Sequence, residues 1–309
     1  MRKQIKGLHH VTSLASGAAT NNRFFTGALG LRRVKKTVNF DNPEVYHLYY
    51  GDAAGTPGTV MTYFPFPHAA RGAHGTGEVG RTTFAVPTGS IDAWQKRFAE
   101  LGIGGLQMVQ PFGAPTLTFD GPDGEGFALM EVEDDRTPWT TSGIPEDMAI
   151  RGFHSASLRL KDSGATAELL RFMGYENIGS DGNVTRFAIE DGNGANVIDI
   201  ETLPDAPDAV QGAGSVHHLA FAVKNRARQL EVREALADAG YQVTPVIDRD
   251  YFWAIYFRAP GGVLFEVATN EPGFGRDEDT KQLGTTLKLP AQHQHLRERL
   301  ERTLEPIGG

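Results

Sequence analysis

Four times along the chain a short apolar run is followed by an amphipathic stretch ending in glycine plus an apolar residue, and then by turn-rich alternating runs. The opening runs are "LHHVTSLA" (8–15), "RTTFAVP" (81–87), "FHSASLRL" (153–160) and "HHLAFAV" (217–223). The amphipathic stretches stop at "ALGL", "ELGI", "FMGY" and "DAGY", where Gly30, Gly102, Gly174 and Gly240 supply the left-handed residue that ends a helix. Each segment closes on another apolar run: "PGTVMTYF", "GEGFALMEV", "GANVIDIE" or "PGGVLFEV". The pattern predicts four copies of one unit, each a strand, a helix and three strands, an α+β chain of βαβββ modules.

Helical periodicity is clearest in "SIDAWQKRFAELGI", with Ser90 as N-cap and Ile91, Trp94, Phe98 and Leu101 on one face, and "ARQLEVREALADAGY" repeats it. The stretch Glu133–Ile150 is polar, contains proline and lacks a period, which marks a linker at the midpoint. The expected division is modules one and two over 1–135, a linker over 136–150, modules three and four over 151–270, and a C-terminal loop and helix over 271–309. That last helix is "AQHQHLRERLERTLEPI", with His293 and His295 expected on its solvated face.

Aligned on their punctuation, the opening strands place His10, Arg81, Ser155 and His218 in one structural position, 20, 21, 19 and 22 residues before the glycine. The closing strands align Thr62, Glu131, Asp199 and Glu266. If units one and four share a barrel, its wall carries His10, His218 and Glu266, with Thr62 in the fourth slot. Two imidazoles and a carboxylate form the facial triad that leaves coordination positions open on non-haem Fe(II), although manganese, zinc or nickel accepts the same donors. Units two and three offer Arg81, Ser155, Glu131 and Asp199, a set that puts a cation where a ligand would sit. That barrel is expected to be structural, and His154, aligned with His9 and His217, to be a hydrogen-bonded strand histidine.

Composition narrows the chemistry. Cysteine is absent, so any metal must sit on His, Asp or Glu, and no disulfide framework exists. A net charge of −8 is the wrong sign for a nucleic-acid binder. No segment reaches the roughly 20 apolar residues of a membrane span, and the N-terminus lacks the apolar core of a signal peptide, so a soluble, cytoplasmic protein is expected.

At these residues the chain resembles the vicinal-oxygen-chelate superfamily, whose βαβββ modules pair into open barrels around a metal. Within it the resemblance is strongest to the hydroquinone ring-cleaving dioxygenases, the 2,6-dichlorohydroquinone dioxygenase group. "GLHHVTSL", "YHLYYGDAAGTPGTVMTYFPFP", "RGFHS", "HHLAFAV", "APGGVLFEV" and "GFGRDEDTKQLG" carry it, over nearly the whole chain from about residue 7. The resemblance implies iron ligation by His10, His218 and Glu266 and pocket roles for His9, Thr12, His217, Arg249 and Tyr256. It implies Fe(II)-dependent extradiol-type cleavage of a hydroquinone or related dihydroxylated aromatic, with dioxygen as co-substrate, and leaves homo-oligomerisation open.

Those roles also have readings of their own. Arg249 is a permanent cation able to hold a phenolate, Tyr256 offers a hydroxyl, and His217 titrates near neutrality beside a ligand. Against them stand an Arg249 ion pair with Asp248 or Asp250, and Tyr256 as core packing. Phe252 and Trp253 are open between pocket and core. Two other functions fit the scaffold: a glyoxalase-like isomerase or lyase, which would want a second carboxylate where Thr62 stands, and a non-catalytic resistance protein that sequesters a small aromatic molecule.

Overall fold

The computed structural model describes residues 3–308 and shows the four units in full. The first runs β1 (Ile5–Ala15), α1 (Ala18–Arg23) prolonged by a π-helical turn (Phe24–Ala28), β2 (Arg32–Val38), β3 (Tyr46–Gly51) and β4 (Val60–Pro65). The second comprises β5 (Glu78–Val86), α2 (Ile91–Glu100), β6 (Gln107–Val109), β7 (Thr116–Asp120) and β8 (Gly126–Glu131). The third has β9 (Gly152–Leu160), α3 (Gly164–Met173), β10 (Glu176–Asp181), β11 (Val184–Ala188) and β12 (Val197–Thr202). The fourth has β13 (Val216–Val223), α4 (Arg226–Asp238), β14 (Ile247–Asp248), β15 (Phe252–Arg258) and β16 (Leu264–Pro272). Gly30, Gly102, Gly174 and Gly240 all have positive φ, between 69° and 104°, as the helix-ending role requires.

The units combine into two curled eight-stranded sheets, ordered β14-β15-β16-β13-β1-β4-β3-β2 and β10-β11-β12-β9-β5-β8-β7-β6. Within a unit the opening and closing strands run parallel, and between units the opening strands pair antiparallel, β1 with β13 and β5 with β9. Units one and four therefore share one half-barrel pair, and units two and three the other. The fully buried Phe25, Phe84, Trp94, Phe98, Phe119, Phe127 and Phe153 belong to one continuous core. Each such ring contributes on the order of 2–3 kcal/mol of burial.

Register corrects one alignment. Thr12 lies opposite Thr62, Ala220 opposite Glu266 and Ser157 opposite Asp199, two residues beyond His10, His218 and Ser155 in each case. In unit two the residue two beyond Arg81 is Thr83, which faces Ala128 rather than Glu131. Glu131 sits three residues further on, where its carboxylate accepts from the Ile91 amide at 3.0 Å and caps α2. Ser90 does not cap: its own φ and ψ are already helical, and its hydroxyl donates back to the Pro87 carbonyl at 2.7 Å.

Two other expectations fail at helix ends. Leu101 is 52% exposed, because α2 stops at Glu100 and Gly102 turns the chain away before the next apolar position is reached. The C-terminal helix is shorter than predicted, a 3-10 stretch over Ala291–Leu296 followed by α5 (Arg297–Thr303). His293 is not a free surface residue, since its Nε2 donates to the Phe40 carbonyl at 2.8 Å, while His295 is exposed.

Candidate active site

His10 on β1, His218 on β13 and Glu266 on β16 meet in the half-barrel of units one and four. In the antiparallel β1–β13 pair His10 lies opposite Ala220 and His218 opposite Thr12, so the two imidazoles are diagonal neighbours, and parallel pairing brings Glu266 up beside Ala220. His10 Nε2 lies 3.2 Å from His218 Nε2 and 3.4 Å from Glu266 Oε2, and His218 Nε2 is 2.9 Å from the same oxygen. All three side chains are buried, Glu266 completely.

The neighbouring histidines decide where the lone pairs point. His9 Nε2 stands 3.1 Å from the Thr269 carbonyl, which only accepts, so Nε2 carries the proton and Nδ1 is an acceptor. His10 Nδ1, 2.9 Å away, must then donate to it, and the lone pair of His10 is left on Nε2, facing His218 and Glu266. His217 Nδ1 likewise lies 2.8 Å from His218 Nδ1. Burial, reinforced by His10, pushes His9 down to about 3, and burial with His218 pushes His217 down to about 4, so both supporting rings are neutral. Burial likewise lowers His218.

The donor set fits a divalent cation. Neither oxygen of Glu266 makes a hydrogen bond within the protein, although the carboxylate is wholly buried, a costly state without a counter-ion. Three donors each about 2.1 Å from one ion and mutually cis would be about 3 Å apart, close to the separations found. Among the described residues these three are the one His/Asp/Glu group so clustered.

A cavity of about 560 Å³ borders the triad. Unit four contributes His217, Arg249, Phe252 and Tyr256 to its wall, whereas Trp253 lies outside it with the Arg226 guanidinium 5.5 Å from its ring. Arg249 Nε donates to the Tyr256 hydroxyl at 3.3 Å, and Nη1 lies 3.7 Å from Asp41, so neither Asp248 nor Asp250 is its partner. Burial opposes the charge of Arg249, but the Tyr256 hydroxyl and the Glu266 carboxylate outweigh it, and its pKa is raised. Burial, then Glu266, raises Tyr256 well above the ordinary phenol. His9 and Thr12 do not line the cavity: His9 backs His10, and Thr12 Oγ1 is 2.9 Å from Thr62 Oγ1.

Sequence reasoning missed the contribution of unit one. His47, Tyr49, Phe64 and the loop Asn39–Asn42 also border the cavity. The signal that could have found Tyr49 is the repeat itself, because Tyr49 faces Thr62 as Tyr256 faces Glu266.

In the half-barrel of units two and three the corresponding positions hold Arg81, Ser155, Asp199 and Ala128. Asp199 is bound by both arms of Arg186 at 2.8 Å, and the Phe112 ring lies 3.8 Å from that guanidinium. A side-chain cation fills the carboxylate's need there. His154 differs from expectation, for its buried Nδ1 has no hydrogen-bond partner. Burial, then Arg186, lowers it to about 4.

Comparison with known proteins agrees with this architecture. Residues 164–267 match the model of the Glyoxalase/Bleomycin resistance protein/Dioxygenase superfamily. MhqO of Bacillus subtilis (strain 168), provisionally named a ring-cleaving dioxygenase, is 40% identical over 99% of this chain and 98% of its own. The chlorohydroquinone/hydroquinone 1,2-dioxygenase of Sphingobium indicum is 34% identical over 99% of this chain and 98% of its own. The crystal structure of a provisionally named dioxygenase from Bacillus subtilis superposes with a TM-score of 0.95 at 40% identity, covering 99% of this chain and 98% of that one. Glyoxalase I from Zea mays shares the fold alone, with a TM-score of 0.63 at 14% identity over 86% of this chain and 92% of that one. The chain belongs to the glyoxalase/bleomycin resistance protein/dioxygenase superfamily. Within that superfamily the two relatives carry dioxygenase names, one for ring cleavage and the other for chlorohydroquinone and hydroquinone. None of the helices among the described residues is long and apolar enough to cross a membrane.

Proposed function

We propose that the protein is an Fe(II)-dependent ring-cleaving dioxygenase of extradiol type acting on a hydroquinone or a related dihydroxylated ring, with His10, His218 and Glu266 as the metal ligands. The observation that carries the reading is the buried Glu266 carboxylate, with neither oxygen hydrogen-bonded, facing a histidine lone pair fixed by its neighbour. Iron held there supplies Lewis acidity toward a ring hydroxyl and an electron path between ring and dioxygen.

The chain's own groups supply binding and orientation. Arg249, its charge reinforced by Tyr256 and Glu266, stabilises negative charge on the ionised ring oxygen. With His218 offering its Nε2 lone pair to the metal, His218 Nδ1–H donates to His217 Nδ1, and the neutral His217, which borders the cavity, presents its Nε2–H as a hydrogen-bond donor to a substrate oxygen. Phe252 and Phe64 give the ring an apolar wall. His9 and Thr12 act behind the wall as supports. The cleavage adds both atoms of dioxygen across one broken ring carbon–carbon bond, so the ring-opened product keeps every carbon and hydrogen of hydroquinone and gains two oxygens.

The relatives' names support the reaction class, and the triad's donors support a metal of this kind. An isomerase on this scaffold would want a second carboxylate at position 62, where the structure has a threonine hydrogen-bonded to Thr12 and His47. The test is an oxygen electrode with iron-loaded protein and a panel of hydroquinones and catechols. The expected result is one dioxygen consumed per hydroquinone, with both labelled atoms recovered in the ring-opened product. Protein shown to hold iron that consumes no oxygen with any member of the panel would overturn it.

A further inference from the structure

The two units around the site are related by pseudo-twofold symmetry, and the register shows what that symmetry has kept. Glu266 on the closing strand of unit four pairs with Tyr256 on the strand before it. Thr62 on the closing strand of unit one pairs with Tyr49 in the same way. The cavity therefore has two tyrosines in equivalent positions, one from each half.

Their direct hydrogen-bond partners differ in charge. The Tyr256 hydroxyl is served by the Arg249 cation at 3.3 Å. The Tyr49 hydroxyl is served by His47 Nδ1 at 2.8 Å, and His47 Nε2 continues through Thr62 Oγ1 at 2.8 Å to Thr12 Oγ1 at 2.9 Å. No charged group stands in this chain of four. His47 is buried and kept neutral, since burial and then the nearby His10 lower it well below the ordinary imidazole. With both ring nitrogens of His47 engaged, its orientation and that of the Tyr49 hydroxyl are fixed, while a phenolic oxygen with one partner retains capacity for another.

Of the two tyrosines, Tyr256 has a cation as its hydrogen-bond partner and suits an ionised oxygen, whereas Tyr49 has an uncharged partner and suits a neutral hydroxyl. We infer that Tyr49, held by His47, is the specificity-determining residue that binds the second, un-ionised hydroxyl of the substrate, while Arg249 and Tyr256 serve the ionised one. This rests on the reading of the site as one for a dihydroxylated ring. His47 is a positioning residue, acting through the Tyr49 hydroxyl.

The test is calorimetric binding under argon to the full chain loaded with one equivalent of Fe(II), using hydroquinone and phenol, which lacks the second hydroxyl. Wild-type protein is expected to favour hydroquinone by about tenfold, one buried hydrogen bond's worth. Tyr49→Phe, which keeps the ring, should bring the two affinities together while leaving that for phenol unchanged. His47→Phe should reproduce the loss of preference, and Tyr256→Phe should weaken both ligands and keep their ratio. A Tyr49→Phe protein that retains the preference, or that loses affinity for both ligands equally, would overturn the assignment of Tyr49 alone. Wild-type protein that binds neither ligand would overturn the dihydroxylated-ring reading and this inference with it.

Discussion

His9 and His10 share a hydrogen bond between their Nδ1 atoms at 2.9 Å, and the Thr269 carbonyl, 3.1 Å from His9 Nε2, decides which of them donates. Adjacent strand residues ordinarily face opposite sides of a sheet. Register shifts in the β1–β13 pairing around Leu8 and His10 accompany the departure, and the two rings meet edge to face. His9→Phe would keep a ring in place but remove the acceptor that orients His10. Metal affinity, measured by competition with a chelator, should fall about 10–100-fold with the far-ultraviolet spectrum unchanged. Unaltered affinity would contradict the supporting role of His9.

The second half-barrel gives a prediction about stability. Asp199 and Arg186 are paired through both guanidinium arms and both side chains are largely buried. Arg186→Ala leaves a buried carboxylate unpaired and should cost about 3–5 kcal/mol in denaturant unfolding. The double change Arg186→Met with Asp199→Leu should recover most of that. Metal content should be the same in all three proteins, because this half-barrel holds none of the proposed ligands.

Glu125 provides a pH signature from a group outside the proposed ligand set. It is 3% exposed, its Oε2 accepts from the Asp123 amide at 2.9 Å, and its Oε1 has no hydrogen-bond partner. Burial raises its pKa from 4.5 to about 7. The folded state therefore holds a proton that the unfolded state has released, and stability falls as pH rises from about 4.5 to about 7. Above that window the loss from this group is about 3 kcal/mol at most. Glu125→Gln should remove that slope, so the stability difference between variant and wild type should grow in the variant's favour from pH 5 to pH 8. A difference that stays flat with pH would contradict a buried, protonatable Glu125.

The repeat was legible because its punctuation is steric. A helix-ending glycine at positive φ leaves a fixed mark in the sequence, and from it His10, His218 and Ser155 fall into register without further information. Glu266 and Asp199 also aligned correctly. Glu131 did not, because "GFALM" is unbroken apolar sequence, buried on both faces, and gives no alternation to set the frame. His47 and Tyr49 were hidden for the same reason, since every residue of β3 is buried and no periodicity shows which side faces the cavity. The role of the C-terminal segment was hidden by distance. His293 reaches back 253 residues to the carbonyl of Phe40, in the loop that borders the cavity. Local pattern carries no trace of that contact.

The most direct measurement is metal stoichiometry in the purified, iron-reconstituted chain and in His10→Ala, His218→Ala and Glu266→Gln, each checked for an unchanged fold. The proposed ligand set predicts one tightly held divalent ion per wild-type chain, and loss of the ion together with hydroquinone-dependent oxygen uptake in every variant. Full metal content and full oxygen uptake in any one of the three would contradict it.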